Sequence, residues 1–245
     1  MSHLRAPGGC PWDAAQTRES LLKNLLEETY EVINAVESGD IEGMKEELGD
    51  LLLQVVFHAL IASERNEFDL GDVARSLSDK LIRRHPHVFG EVKADNEEEA
   101  LASWNAAKSA EGDHTTSLAA VPVTLPALLR ARKVVDKAGS VGFEWSNISD
   151  ALDKLDEEVG ELRRAVNEGD DKQIRDELGD VLFMTACVAR YIHECPELAL
   201  QSTIEKFLKR FKYIEKRLAE KGSSPEQSTL EEMDSYWDEA KGKEK

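Results

Sequence analysis

Apolar residues recur at helical intervals along most of the chain. In 20–37 they fall at Leu22, Leu25, Leu26, Ile33 and Val36, and Gly39-Asp40 stops the run. A second helix is expected from 41 to about 64. After Asp50 it becomes apolar nearly all round (Leu51-Leu-Leu-Gln-Val-Val-Phe57), a pattern that predicts burial on several sides. The stretch 69–84 reads as a third helix stopped by His85-Pro86, and 96–109 as a fourth. The second half repeats this at 150–168, 171–193, 197–221 and 229–241, preceded by an extra helix at 126–138. No stretch carries the sustained alternation of a strand. In each half the first two of the four helices, joined by a Gly-Asp turn, should form an antiparallel hairpin. The expected fold is all-α, two tandem four-helix units.

The duplication is visible residue by residue. An ungapped offset of 130 lays 25–52 over 155–182 with 13 of 28 positions identical. With the offset reduced by four, Lys80, Arg83 and Arg84 fall over Lys206, Lys209 and Arg210. Glu98, Glu99 and Trp104 match Glu231, Glu232 and Trp237 at an offset of 133. A repeat this long means duplicated domains rather than a solenoid. The intervening 112–126 is rich in turn-forming and β-branched residues. We therefore expect a first domain at 1–114, a linker at 115–125 and a second domain at 126–245.

Composition narrows the partners. The formal net charge is −18, from 31 Lys+Arg against 49 Asp+Glu, and a field of that sign disfavours general nucleic-acid binding. A phosphorylated small molecule remains acceptable where cations neutralise the site. Cys10, Cys187 and Cys195 form no CxxC or zinc spacing and read as reduced thiols. The first 13 residues hold no apolar signal-peptide core, and the longest apolar stretch, 51–62, is too short to span a bilayer. The expected location is the cytoplasm, with no membrane association.

Against this background two acidic sets stand out. Glu28 and Glu31 lie three residues apart, one turn along a helical face, and Glu47 and Asp50 stand in the same relation on the next helix. A hairpin can bring these faces together and gather four carboxylates. Glu158, Glu161, Glu177 and Asp180 repeat the arrangement. A solvated acidic face is the plainer reading in so acidic a chain. However, Asp50 and Asp180 each open an apolar run, and a carboxylate beside buried surface needs a compensating cation. Both copies also keep all four carboxylates where neighbours have drifted, as in Thr29/Val159 and Asn34/Arg164. Hard oxygen ligands without His or Cys suit Mg²⁺, with Mn²⁺ able to substitute. The Glu-x-x-His pairs of di-iron bundles are missing from both halves.

Cations for phosphate groups are available at Lys80, Arg83 and Arg84, repeated as Lys206, Lys209 and Arg210, and at Arg130, Arg132, Lys133 and Lys137. Surface salt bridges compete with this reading, and the recurrence in both halves favours ligand contact. Phe143 and Trp145, in the loop Val141-Gly-Phe-Glu-Trp145, could contact a nucleobase, against a plainer role in core packing. The same choice applies to Trp104 and Trp237. Cys10-Pro-Trp-Asp13 and His85-Pro-His87 read as turn or helix-stop features rather than as a nucleophile and a metal site.

Taken together, Cys10-Pro-Trp-Asp13, Gln16-Thr17, Leu25-Leu-Glu-Glu-Thr-Tyr-Glu31, Glu47-Leu-Gly-Asp-Leu-Leu52 and Arg83-Arg-His-Pro-His-Val-Phe89 resemble the MazG family. Val141-Gly-Phe-Glu-Trp145 and the second quartet resemble its second domain, and the likeness runs from about Pro11 to Lys241. The resemblance implies an all-α, Mg²⁺-dependent nucleoside triphosphate pyrophosphohydrolase. Such an enzyme activates water for attack at the α-phosphorus and releases nucleoside monophosphate and pyrophosphate. It further implies that both quartets are metal ligands, that one glutamate of a quartet is the general base, and that Lys133, Lys209 and Arg210 contact phosphates. A homodimer and a role in clearing non-standard or excess nucleotides are implied as well. Two readings from other classes compete: a non-catalytic nucleotide-binding or regulatory protein with structural metal sites, and a metal-dependent nuclease, which the net charge disfavours. The second unit is favoured as the catalytic one, because the Lys133 helix and the 141–145 loop precede only its quartet.

Overall fold

The computed structural model describes residues 1–111 and 118–243. The chain divides into two compact units, Met1–Glu111 and Gly112–Lys245. The boundary expected near residue 115 lies outside the described residues. Within the stretch expected to link the units, Leu118–Ala120 forms a 3₁₀ turn beside the extra helix of the second unit, and Val121 is buried.

The first unit comprises α1 (Ser2–Arg5), α2 (Pro11–Ala15), α3 (Arg18–Ser38), α4 (Ile41–Glu64), α5 (Leu70–Arg84), α6 (Pro86–Phe89) and α7 (Glu97–Ala110). The second comprises α8 (Ala127–Gly139), α9 (Ile148–Glu168), α10 (Asp171–Tyr191), α11 (Pro196–Glu220) and α12 (Leu230–Gly242), with a 3₁₀ turn at Pro225–Gln227. Among the described residues there is no strand. The all-α expectation holds, and the long helices begin and end within a few residues of the predicted limits. The short helices α1, α2 and α6 were not expected. Pro11 and Pro86 each open one at its first turn, where a missing N–H costs nothing.

Both hairpins turn on the same two residues. Gly39 and Gly169 close α3 and α9 at φ 70° and 74°, the left-handed conformation that a side chain disfavours. The next residue caps the following helix. Asp40 accepts from the Gly43 N–H at 3.0 Å, and Asp170 accepts from the N–H groups of Lys172 and Gln173 at 3.0 and 3.1 Å. With both turns fixed locally, α3 packs along α4 and α9 along α10.

Packing fixes the hairpins at their far ends. In the first unit Leu21 of α3 meets Phe57 and Ile61 of α4, each worth roughly 1.5–3 kcal/mol when fully buried. Arg5 ties the N-terminal segment there, pairing with Glu64 at 2.7 Å and stacking 5.5 Å over the Phe57 ring. In the second unit Val135, Met184 and Cys187 form one core, and Ile214, Leu218 and Tyr236 join α11 to α12 in another. One expectation is corrected. The apolar α4 is not covered on several sides: Leu52 is 59% exposed, and Leu53 and Val55 are also exposed, because α3 and α5 occupy only part of its circumference.

Candidate metal centre

Each hairpin brings carboxylates from both of its helices to one place. In the first unit Glu28, Glu47 and Asp50 can each offer an oxygen such that all three lie within 4.8 Å of one another. In the second, Glu158, Glu161 and Glu177 do so. The sequence placed four carboxylates at each site and the structure converges three. Glu31 falls outside the first group, yet its negative charge acts on both Glu28 and Glu47. Asp180 falls outside the second group and is exposed. The buried member there is Glu158, at 7% exposure, rather than the aspartate that opens the apolar run.

The electrostatics match the geometry in the first unit. Partial burial, then the negative charges of Asp50, Glu31 and Glu47, raise the Glu28 carboxyl above its ordinary range. Burial and the charges of Glu31 and Asp50 do the same to Glu47. Repulsion of this kind is relieved by a proton or by a cation, so the donor set fits a hard divalent ion. Among the described residues no Lys or Arg is ion-paired to Glu28, Glu47 or Asp50.

The second cluster carries internal cations. Lys154 bridges Glu158 at 2.9 Å and Glu157 at 3.0 Å, and these carboxylates hold its ammonium pKa above the usual value. Arg164 reaches Glu161 at 2.9 Å. Lys154 escaped the sequence reading, although its i,i+4 spacing to Glu158 was there to be found. The 130-residue offset pairs it with Asn24, whose buried Oδ1 has no protein partner, as is also true of Gln54 Oε1 and His58 Nε2 in the same hairpin.

The basic candidates separate into two kinds. Lys80, Lys133 and Lys209 are exposed. Lys133 projects from α8, which packs against α10, the helix of Glu177 and Asp180. Arg83 and Arg84 are committed to Glu111, by 2.8 Å from Arg83 Nε and by 3.1, 3.2 and 2.6 Å from Arg84 Nε and Nη2. Arg84 also lies 5.4 Å over Trp104, and Arg210 lies 5.3 Å over Trp237. Arg132 is structural, bonded to Asp136 and to the carbonyls of Ala189 and Glu194.

The aromatic candidates part company. Trp145 is half-buried against the Val135–Met184–Cys187 core, and its carbonyl accepts from the Tyr191 hydroxyl at 2.6 Å. Phe143 is 80% exposed, and with Gly142, Glu144 and Trp145 it lines a cavity of about 300 Å³. Burial pushes the Cys187 thiol up to about 11, and all three cysteines are free. His85 donates from Nδ1 to the Leu81 carbonyl at 2.7 Å, and among the described residues neither His85 nor His87 joins a cluster able to hold a cation. No helix of the described residues is long and apolar enough to cross a membrane.

The chain is similar to known proteins. The MazG nucleotide pyrophosphohydrolase domain matches residues 16–89 and 147–217, once over each hairpin. The nucleoside triphosphate pyrophosphohydrolase/pyrophosphatase MazG of Thermotoga maritima is 42% identical over 244 residues, covering 99% of this chain and 93% of that protein. The nucleoside triphosphate pyrophosphohydrolase of Escherichia coli K12 is 40% identical over 250 residues, covering 100% of this chain and 95% of its own. A MazG-related protein from Thermotoga maritima, known from its crystal structure, is 32% identical with a TM-score of 0.37, over 42% of this chain and 89% of that one. Two family matches and near full-length identity lead to one conclusion: the chain belongs to the MazG family of nucleotide pyrophosphohydrolases.

Proposed function

We propose that the protein hydrolyses nucleoside triphosphates to nucleoside monophosphate and pyrophosphate, using Mg²⁺ and working mainly at the second unit. The observation that carries this reading is the convergence of three carboxylates within 4.8 Å in each hairpin of a MazG-family chain. Glu158, Glu161 and Glu177, with Asp180 one turn beyond Glu177, would hold the ion in the second unit; Glu28, Glu47 and Asp50, with Glu31, would hold it in the first. When bound, Mg²⁺ supplies charge neutralisation for the triphosphate and acidifies water. The chain's own groups do the rest. Lys133, Lys209 and Arg210 hold phosphate oxygens, and Phe143 with Trp145 offers a surface for the base. One glutamate of the quartet takes the proton as water attacks the α-phosphorus in line and pyrophosphate leaves.

Incubation with each nucleoside triphosphate and Mg²⁺ tests the reading. Monophosphate and pyrophosphate are the expected products. Diphosphate with inorganic phosphate, or no turnover of any triphosphate, overturns it in favour of another hydrolysis or of a binding protein.

The same reading includes a homodimer in the cytoplasm. Exposed apolar rows on the hairpins, among them Leu22 and Leu26 on α3 and Leu178 and Leu182 on α10, support self-association. The free cysteines suit a reducing compartment. Light scattering on the eluted protein should give twice the chain mass of 27.4 kDa, and a monomer mass rejects the dimer.

A further inference from the structure

Arg83 and Arg84 end α5 beside the last turn of α7, and the carboxylate of Glu111 sits across both guanidinium groups. Three of the four contacts go to Arg84, and Glu111 Oε1 is shared by the two arginines. The Glu111 side chain is 14% exposed and that of Arg84 19%, so this is a partly desolvated pair rather than a surface bridge. The guanidinium plane of Arg84 lies over Trp104 at 5.4 Å, which fixes its direction before any ligand arrives. Two guanidinium groups around a single acid are the arrangement that recognises phosphate oxygens as well as carboxylates.

We propose that Glu111 is a built-in stand-in for phosphate: it occupies Arg83 and Arg84, and phosphorylated ligands gain this subsite of the first unit only by displacing it. The inference rests on the reading that the basic third helix of a unit contacts phosphates. The two arginines hold the Glu111 carboxyl at about 2, so it stays charged and competes at every ordinary pH. An anionic ligand therefore binds the first unit more weakly than the exposed residues alone would allow, and binding is coupled to release of the end of α7 from α5. Pyrophosphate, with more negative charge than one carboxylate and several oxygens, is the minimal ligand able to win.

The test uses the full chain carrying Lys209→Ala and Arg210→Ala, which weakens the corresponding helix of the second unit. Binding of inorganic pyrophosphate with magnesium chloride is measured by calorimetry. Glu111→Gln is expected to tighten it about tenfold, by removing the competing occupant. Adding Arg84→Ala to Glu111→Gln should erase that gain. Glu111→Asp keeps the charge but draws it back by one methylene, and should give a smaller gain in the same direction. It also serves as the folded variant should Glu111→Gln not fold. Unchanged or weaker binding in folded Glu111→Gln or Glu111→Asp protein overturns the proposal and leaves the pair as a clasp between α5 and α7. Turnover by the unsubstituted chain is read separately, so failure of the hydrolase reading and failure of the Glu111 proposal give different results.

Discussion

In the first unit Glu28 and Glu47 face other carboxylates; in the second, Glu158 faces an ammonium. The ligand spacing is the same, the Gly-Asp turn is the same, and the two hairpins cap in the same way. What differs are two positions beside the ligands, Asn24 against Lys154 a turn before the first and Asn34 against Arg164 a turn after the second. Geometry alone therefore does not set the character of a carboxylate site. The first cluster stores like-charge repulsion that only a proton or a cation can relieve, while the second is partly neutralised from within.

The largest test of this comparison is activity. We expect Glu177→Ala to lower the rate of pyrophosphate release by about a hundredfold or more, the scale of losing metal-assisted charge stabilisation. Glu47→Ala should leave the rate within about twofold, since the second unit is proposed to carry turnover. Loss of activity in Glu47→Ala with retention in Glu177→Ala reverses the assignment. Equal partial losses would mean that both units turn over.

The ability of the sequence to foretell these sites followed the range of the interaction. Gly39-Asp40 and Gly169-Asp170 act within a few residues, so both hairpins were legible. Once the hairpins stood, i,i+3 spacing put the carboxylates on facing surfaces. Which three of four converge was not legible, because each residue turns the side chain by about 100° and a small rotation of α10 decides whether Asp180 joins Glu177 at the cluster. Glu111 was missed because its partners lie 27 and 28 residues away on another helix. The expected burial of α4 failed for a related reason: an all-apolar circumference says that something should cover it, not that the same chain does. The resemblance to MazG named the family from motifs, yet Lys154, which distinguishes the two copies electrostatically, lies outside those motifs.

A middle-sized effect should follow from exchanging the first of the two distinguishing positions. Lys154→Asn removes a positive charge from beside Glu158, so Mg²⁺ no longer competes with an ammonium for that carboxylate. The Mg²⁺ concentration for half-maximal binding at the second unit should fall roughly three- to tenfold. Asn24→Lys should raise it at the first unit by a similar factor. Calorimetric titration of the two variants reads both, and a shift in the opposite direction in either would show that the lysine assists ion binding instead of opposing it. Turnover need not follow affinity in Lys154→Asn, because the substitution also removes a cation from the site proposed to receive the triphosphate.

The smallest effect concerns pH, and its sign follows from the first unit's carboxyls. Glu28 and Glu47 have folded-state pKa values raised above their ordinary values, so each contributes stability that is fully present below the unfolded pKa and is lost as pH rises through the folded one. In chelator, mild acidification from neutral toward the top of the carboxylate range should therefore raise the melting temperature slightly. Glu111, Glu64 and Glu239 have lowered values and work in the opposite sense, losing their contribution only as pH falls below the ordinary carboxylate range. The two windows do not coincide, which makes the rise observable before acid unfolding begins. Saturating Mg²⁺ should reverse the slope, because an ion needs its ligands deprotonated. Glu28→Gln with Glu47→Gln should flatten the slope in chelator while leaving that of the second unit intact. A melting temperature that falls steadily from neutral pH in chelator, in the unsubstituted chain, would mean that the first cluster is not under like-charge strain, and the contrast between the two units would then rest on Lys154 and Arg164.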